Sequence, residues 1–182
     1  MPLELAPNGI TVRATQPKPF YEGNQRHILN GKEYLVVLDR EELLSELSGD
    51  DVPDASHIVT TFVQNMDLVF YGENDFNDDI SGWDTSNVFT MTQMFYMAHS
   101  FNQDISAWDT SRVMFMDNMF CYAISFNQDL SKWDIRSVQL MVSMFEFARS
   151  FTYDVETAWK STKMAKCDTD GWLSGTQYEY NK

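Results

Sequence analysis

A 25-residue repeat is the feature that most limits what this chain can fold into. The segment 76–86 reads Phe-Asn-Asp-Asp-Ile-Ser-Gly-Trp-Asp-Thr-Ser, and closely related segments follow at 101–111 and at 126–136. The step between them carries no insertion or deletion. A repeat of this length indicates a unit that cannot bury its apolar face alone and must stack on neighbouring copies.

The second half of each unit places its apolar residues at helical spacing. Steps of three, three, one and three residues put them on one face of a helix. The segment from Asp84 to Ser86 offers N-cap side chains just before it. The first half, from Asp79 to Trp83, is too short for a helix and favours a short strand or extended turn. The three apolar sets are Val88, Met91, Met94, Phe95 and Ala98; Val113, Met116, Met119, Phe120 and Ala123; and Val138, Met141, Met144, Phe145 and Ala148.

These two halves predict an α/β solenoid in which each 25-residue coil supplies one short extended segment and one short helix. Weaker copies flank the three clear units, with Val63 and Met66 before them and Phe151 and Val155 after them. Trp159 falls one residue out of phase with the Trp column. End repeats must face water, so degenerate copies are expected there. The Met and Phe columns are interpreted as core.

The residues around the repeats favour closing structures. Asn30-Gly31 lies between strand-like residues and predicts a hairpin turn. Asp39 can cap a helix that continues through Leu47 and ends near Gly49. The expected parts are a small α/β N-terminal cap, made of a hairpin plus a helix, at 1–50, the repeat solenoid at 51–155 and a C-terminal cap or tail at 156–182.

The charge distribution argues against a nucleic-acid partner. The chain of 182 residues has a net charge of -14, and fourteen Asp and Glu but no Lys or Arg lie between Arg40 and Arg112. Phosphate backbones require clustered cations, and anionic membrane surfaces are disfavoured for the same reason. The longest apolar runs are only a few residues long, so no membrane insertion is expected.

The unit resembles the 25-residue repeat of the BspA-like bacterial and mycoplasma surface proteins. The shared pattern is Phe-Asn-x-Asp-Ile-Ser-x-Trp-Asp-Thr-Ser-x-Val-x-x-Met-x-x-Met-Phe-x-x-Ala-x-Ser, and the likeness covers roughly Asn8 to Phe151. The segment from Asn30 to Tyr34 is similar to a hairpin that often precedes such repeats. The resemblance implies a leucine-rich-repeat-like, right-handed stack, at the cell surface or secreted, with a role in adhesion. We expect no signal peptide in this chain, because Met1 to Leu5 has neither a basic nor an apolar region.

Two polar residue types recur in every clear unit. The Asn residues are expected to form a structural ladder that satisfies backbone groups of adjacent coils. The Asp carboxylates would lie ~5 Å apart if extended segments pair. At that distance they would accept hydrogen bonds from the backbone or from Ser. The alternative is a low-ranking candidate metal site that holds calcium. No other cofactor is expected. The ladders are Asn77, Asn102 and Asn127, and Asp79, Asp104 and Asp129.

The recurring Trp residues, Trp83, Trp108 and Trp133, have two interpretations. Their constant spacing beside Ile and Phe favours a core column, and the alternative is a platform on which sugars stack. Cys121 and Cys167 lie far apart and outside any zinc-binding spacing, so a disulfide between them stays open and a zinc site is not supported.

Apolar residues also occupy the flanks of the predicted helices, on the order of 100° from the core stripe. Polar residues are usual at such positions, and an apolar strip across three coils indicates an interaction surface or packing between coils or under the tail. One column contains Phe115 and Leu140 after Thr90, and the other contains Met97, Tyr122 and Phe147.

The expected function is a non-catalytic binding or surface-display module. Its partner is expected to be a protein or a glycan, bound through the apolar flank or the acidic face. The sequence has no G-x-S-x-G, no H-E-x-x-H and no phosphate-binding glycine loop. Two alternatives remain: a calcium-stabilised structural solenoid that uses the Asp ladder and, more remotely, a polysaccharide-acting enzyme with paired carboxylates.

Overall fold

The computed structural model describes residues 3–9, 11–18, 25–48, 54–160 and 170–176. Within these residues a short 3-10 turn lies at Ala55–His57. The regular elements are β1 (Leu3–Leu5), β2 (Val12–Ala14), β3 (Arg26–Leu29), β4 (Lys32–Val36), α1 (Arg40–Ser48), β5 (Ile58–Val59) and α2 (Val155–Lys160).

The strands form two small sheets before the repeats. β1 and β2 pair antiparallel, and β3, β4 and β5 form a three-stranded sheet in which β5 runs parallel to β4. The hairpin predicted at Asn30-Gly31 is confirmed, since both residues have positive φ and join β3 to β4. A separate apolar cluster that includes Leu3, Val36 and Val59 holds the two sheets together.

The predicted helix after Asp39 is also confirmed, as α1. The Asp39 Oδ1 atom accepts a hydrogen bond from the Glu42 amide at 3.1 Å, and Glu42 Oε2 accepts one from the Leu38 amide at 2.7 Å. These reciprocal bonds satisfy amides that the first turn leaves unpaired. The fully buried Leu43 joins the core that the repeats share. The helix therefore packs against the first repeat units.

The predicted α/β solenoid is wrong. In the described residues both α-helices lie outside the three clear repeats, and neither sheet continues through them. The segment predicted to be helical, Val88 to Ala98, is a series of turns. Gln93 and Met97 have left-handed backbones, with φ of 55° and 58°, whereas an α-helix needs a φ near -63°. A leucine-rich-repeat-like coil with one helix per unit is thus not what these residues form.

Backbone hydrogen bonds join each unit to the next. The amides of Met91 and Gln93 donate to the carbonyl oxygens of Phe115 and Asp117, both at 2.9 Å, and the same pattern recurs one unit later. Isolated parallel bridges also link Thr90 to Phe115 and Phe115 to Leu140. Amides that a helix would satisfy internally are therefore satisfied between units, which answers the requirement that buried amides be paired.

The apolar columns of the repeats form one core. The Met columns are fully buried, and the rings of Phe95 and Phe120 stack with centroids 5.4 Å apart. The prediction that the Met and Phe columns are core is confirmed. Dense packing of this kind tolerates little change in side-chain volume.

Asp84 does not cap a helix but connects the first unit to the N-terminal sheets. Its buried carboxylate accepts hydrogen bonds from the Thr61 hydroxyl at 2.9 Å and the Ser86 hydroxyl at 2.7 Å. Arg13 on β2 places its Nε atom 3.5 Å from the same carboxylate. A buried carboxylate requires such partners, because desolvation disfavours the charge.

Residues 170–176 continue the pattern after the last clear unit. The amides of Phe145 and Phe147 donate to the carbonyl oxygens of Trp172 and Ser174, both at 2.7 Å. α2 replaces the turn of the earlier units and brings Trp159 into the Trp column despite its shifted position, with its Nε1 atom 3.2 Å from the Leu130 oxygen. Cys167 lies outside the described residues, and so does the disulfide considered for it.

Candidate interaction surface

Phe115 and Leu140 lie in the column that carries the isolated parallel bridges. Thr90, which precedes them, is buried, Phe115 is half-buried and Leu140 is 38 % exposed. The Thr90 hydroxyl also donates to Asp67 Oδ1. This column therefore becomes more apolar and more exposed along the repeats.

Met97, Tyr122 and Phe147 have left-handed backbones, with φ between 57° and 60°. Each amide donates to a carbonyl of the following unit, at 2.9, 2.8 and 2.7 Å respectively. Met97 is 39 % exposed, and the two rings are half-buried. The inter-unit hydrogen bonds therefore hold a row of large apolar side chains at the surface.

Two tyrosines that sequence reasoning missed extend this row. Tyr71, 47 % exposed, stacks on Tyr96 with ring centroids 5.0 Å apart and planes 6° apart. Tyr96 meets Tyr122 edge-to-face at 6.2 Å, and Tyr122 stacks on Phe147 at 4.8 Å. The sequence signal was the recurrence of Tyr after 25 residues in the slot just before Met97. We name Tyr71, Tyr96, Met97, Tyr122 and Phe147 the aromatic strip.

Two groups in or beside the aromatic strip, Tyr96 and Cys121, are held in their neutral forms. Burial, followed by interactions with Cys121, neighbouring tyrosines and Glu146, raises the pKa of Tyr96. Burial also raises the pKa of the Cys121 thiol to about 12, with Glu146 adding to the shift. The aromatic strip can therefore supply apolar area and hydroxyl donors to a partner, while Cys121 beneath it is not a nucleophile at neutral pH.

The Trp column belongs to the core and is not a sugar platform. Trp83, Trp108 and Trp133 are at most 4 % exposed. Their Nε1 atoms donate to carbonyl oxygens 28 residues earlier, at 2.8, 3.1 and 3.1 Å. The stacking interpretation from the sequence is therefore excluded for these three rings.

The Asp ladder lies at the surface, and each carboxylate caps a local turn. Asp79, Asp104 and Asp129 are exposed, and each accepts a hydrogen bond at 2.9 Å from the amide two residues later. The amides of Ser106 and Ser131 lower the pKa of Asp104 and Asp129 respectively. In the described part of the chain, no group of three or more His, Cys, Asp or Glu side chains could hold a metal ion.

The Asn ladder connects the exposed turns of successive units. Asn77 Oδ1 accepts a hydrogen bond from the Asn102 amide, and Asn102 Oδ1 accepts one from the Asn127 amide, both at 2.8 Å. Asn127 Oδ1 in turn accepts one from the amide of Thr152 at 2.9 Å. The structure thus places these side chains between backbone groups of neighbouring units.

A groove lined by residues outside the aromatic strip was also missed by sequence reasoning. A cavity of about 530 Å³ lies between the start of α1 and the first units, and a second of about 460 Å³ continues it along the repeats. Phe89 lines both cavities. We name this surface the junction groove. Its residues come from segments distant in sequence, so no local motif could have revealed it.

Comparison with known proteins yields one family. Residues 43–168, more than two thirds of the chain, match the model of a family described as "Mycoplasma protein of unknown function, DUF285". No curated protein and no solved structure matches the chain. Among the described residues, no helix is both long enough and apolar enough to cross a bilayer.

Proposed function

Since the chain belongs to the DUF285 family of Mycoplasma proteins of unknown function, we propose that it is a non-catalytic binding module. Its aromatic strip docks a protein that presents Lys or Arg beside apolar side chains. The observation that carries the proposal is the row of large, partly exposed side chains across four successive units. Aromatic residues and Met are enriched at protein interfaces, where charged residues are depleted at the centre.

The stacking of the rings favours a protein over a sugar at the aromatic strip. The planes of Tyr71 and Tyr96 are only 6° apart and their centroids are 5.0 Å apart, so each ring covers part of one face of the other. A sugar stacks its C–H groups on open ring faces, whereas ring edges and hydroxyls suit the mixed apolar and polar contacts of a protein interface.

The charge around the aromatic strip favours a cationic partner. The exposed Glu73 follows Tyr71 by two residues, and the Glu146 charge acts on Tyr96. The chain as a whole carries a net charge of -14. Acidic surroundings steer basic partners toward a surface, and Lys or Arg can add cation–π contacts to Tyr.

We extend the proposal to display at the cell surface, with an adhesive role. The support is the likeness of the 25-residue unit to the repeats of BspA-like surface proteins. Repetition of one unit also suits display, because it extends a binding surface without a new fold.

Selection from a phage-displayed random peptide library on the purified protein tests the proposal. We expect the selected peptides to be enriched in Lys or Arg beside apolar residues. The variant Tyr71→Ser, Met97→Ser, Tyr122→Ser should bind them at least about tenfold more weakly, a loss typical of truncating several interface anchors.

The control is Phe89→Ser, Leu140→Ser, which removes two exposed apolar side chains outside the aromatic strip. It should bind the selected peptides as the unchanged protein does, and thermal unfolding should show that both variants are folded. The proposal fails if no basic, apolar peptides are enriched, or if the two variants bind them equally well.

A further inference from the structure

The junction groove is large enough for a bound molecule and independent of the aromatic strip. Its two cavities, of about 530 and about 460 Å³, fall in the range of ~300–1,000 Å³ usual for small-molecule sites. Phe89, which both cavities share, is 38 % exposed. An exposed ring inside an open groove presents apolar surface that a ligand can cover.

Internal hydrogen bonds fix the polar groups that line the groove. Asn87 Nδ2 donates to the backbone carbonyl oxygen of Thr61 at 2.8 Å, and Asn87 Oδ1 accepts from the Arg112 guanidinium at 2.9 Å. Asn65 also lines the groove, and its Oδ1 atom accepts a hydrogen bond from the Asp67 amide at 2.7 Å, which leaves its NH₂ group as a donor for a ligand. Polar groups held in this way lose little conformational entropy when a ligand binds.

The charges of the groove are nearly balanced. Lys18 Nζ lies 3.8 Å from the Asp39 carboxylate, and Arg40 uses its Nε atom to donate to the backbone carbonyl oxygen of Asp67 at 2.8 Å. Glu41 adds a further carboxylate to the lining. This mixture repels neither sign strongly, and it gives no clustered cations of the kind that phosphate or sulfate groups require.

Amides, hydroxyls, paired charges and Phe rings together match the chemistry of an uncharged sugar chain. Sugar hydroxyls donate and accept at once, and they pair with rigid side chains that offer both functions. The apolar face of a sugar ring can cover the exposed Phe89, and Phe62 lines the same cavity. We propose that the junction groove binds a neutral oligosaccharide, with Phe89 as the stacking residue and Asn65 as a hydrogen-bond donor.

A glycan array tests this proposal. The array carries neutral hexasaccharides of glucose, mannose, galactose and N-acetylglucosamine beside a heparin hexasaccharide, and isothermal titration calorimetry then measures the affinity of each retained sugar. We expect at least one neutral hexasaccharide to be retained. Phe89→Ala and Asn65→Asp should each weaken its binding at least about tenfold. The Asp variant keeps the oxygen that accepts from Asp67 and lacks the NH₂ donor.

The control is the aromatic-strip variant Tyr71→Ser, Met97→Ser, Tyr122→Ser, which should bind the sugar as the unchanged protein does. Retention of the heparin hexasaccharide alone would overturn the proposal, because it would indicate an anion site. Retention of no neutral sugar, or binding that both groove variants leave unchanged, would also overturn it. Peptide binding at the aromatic strip is unaffected by any of these outcomes, so the two proposals stand or fall separately.

Discussion

The indole nitrogen of Trp108 lies 3.1 Å from the carbonyl oxygen of Ile80, in the preceding repeat unit, and donates a hydrogen bond to it. Trp83 makes the equivalent bond to Ala55, and Trp133 makes it to Ile105. Each ring thus fills the core of its own unit and satisfies a backbone carbonyl of the unit before it. The Trp column therefore fills the core and also fixes how each unit aligns with the one before it.

Replacing Trp108 by Phe removes the indole donor and leaves the buried Ile80 carbonyl without it. A buried acceptor that loses its partner costs about 1–3 kcal/mol, so the free energy of unfolding should fall by at least that amount. Urea unfolding followed by circular dichroism gives the value. Tyr153→Phe, at an exposed ring, is the control and should change stability little. Equal stability of the two variants would contradict the role assigned to Trp108.

The Asn ladder predicts a difference between two substitutions of Asn102. Its Oδ1 atom accepts hydrogen bonds from the Asn127 amide at 2.8 Å and from Gln128 Nε2 at 2.9 Å. Asn102→Leu removes both bonds and should cost about 0.5–1.5 kcal/mol for each, whereas Asn102→Asp keeps an acceptor in the same place. We expect the Leu variant to unfold at lower urea concentration than the Asp variant. The reverse order would rule out a structural role for this acceptor.

Gly175 and Gly72 offer a matched test of backbone strain against crowding. Both have positive φ, 72° and 74°, but a Cβ atom at Gly175 would lie 2.7 Å from Phe147 Cδ1, while at Gly72 it would meet nothing within 4 Å. Either Ala variant should cost about 1–3 kcal/mol through the left-handed backbone. Gly175→Ala should cost more, and Phe147→Ala should remove the excess. Equal melting temperatures for the two single variants would contradict the close packing of Gly175 on Phe147.

Acid should destabilise the protein through Asp104 and Asp129, two members of the Asp ladder. The pKa values of Asp104 and Asp129 are lowered from 3.8, first by the amides of Ser106 and Ser131. A carboxyl group whose pKa is lower in the folded than in the unfolded protein adds stability at any pH above its unfolded pKa. That stability is lost as the pH falls through the folded pKa. The urea midpoint should therefore fall between about pH 5 and about pH 2. Asp104→Asn, Asp129→Asn should show a flatter decline, and an equally steep one would contradict this origin.

The Cys121 thiol should resist thiol reagents in the folded protein. It is 2 % exposed, and burial raises its pKa to about 12, so almost none of it is thiolate at neutral pH. In a Cys167→Ser variant, a chromogenic disulfide reagent should label Cys121 only after denaturant is added. Rapid labelling of the folded protein would show that the units open locally at this position.

The sequence already contained the register of the core. The 25-residue step identified the Met and Phe columns as buried. The turn residues Asn30-Gly31 identified the hairpin, and the capping residue Asp39 identified the helix that follows it. These features depend on local turn chemistry and on which residues recur, and both can be read from one chain.

The prediction of a helix in each repeat was wrong because a helix and a series of turns give the same spacing of apolar residues. Val88, Met91 and Met94 face the core in both cases, so periodicity could not distinguish them. Gln93 and Met97 adopt left-handed backbone conformations although neither is Gly. Their residue types do not favour this conformation, so the sequence could not predict it. Their amides bond to carbonyls of the following unit, a partner that exists only after the units pack.

The candidate surfaces divide in the same way. The sequence alone determined that Met97, Tyr122 and Phe147 share a column, because they are 25 residues apart. Only the tertiary structure joined Tyr71 and Tyr96 to them, and only it brought α1 beside the first units to form the junction groove. A repeat in the sequence determines which residues recur along the chain. Contacts between segments that differ in sequence depend on how those segments pack, and the backbone takes the conformation that satisfies its amides within that packing.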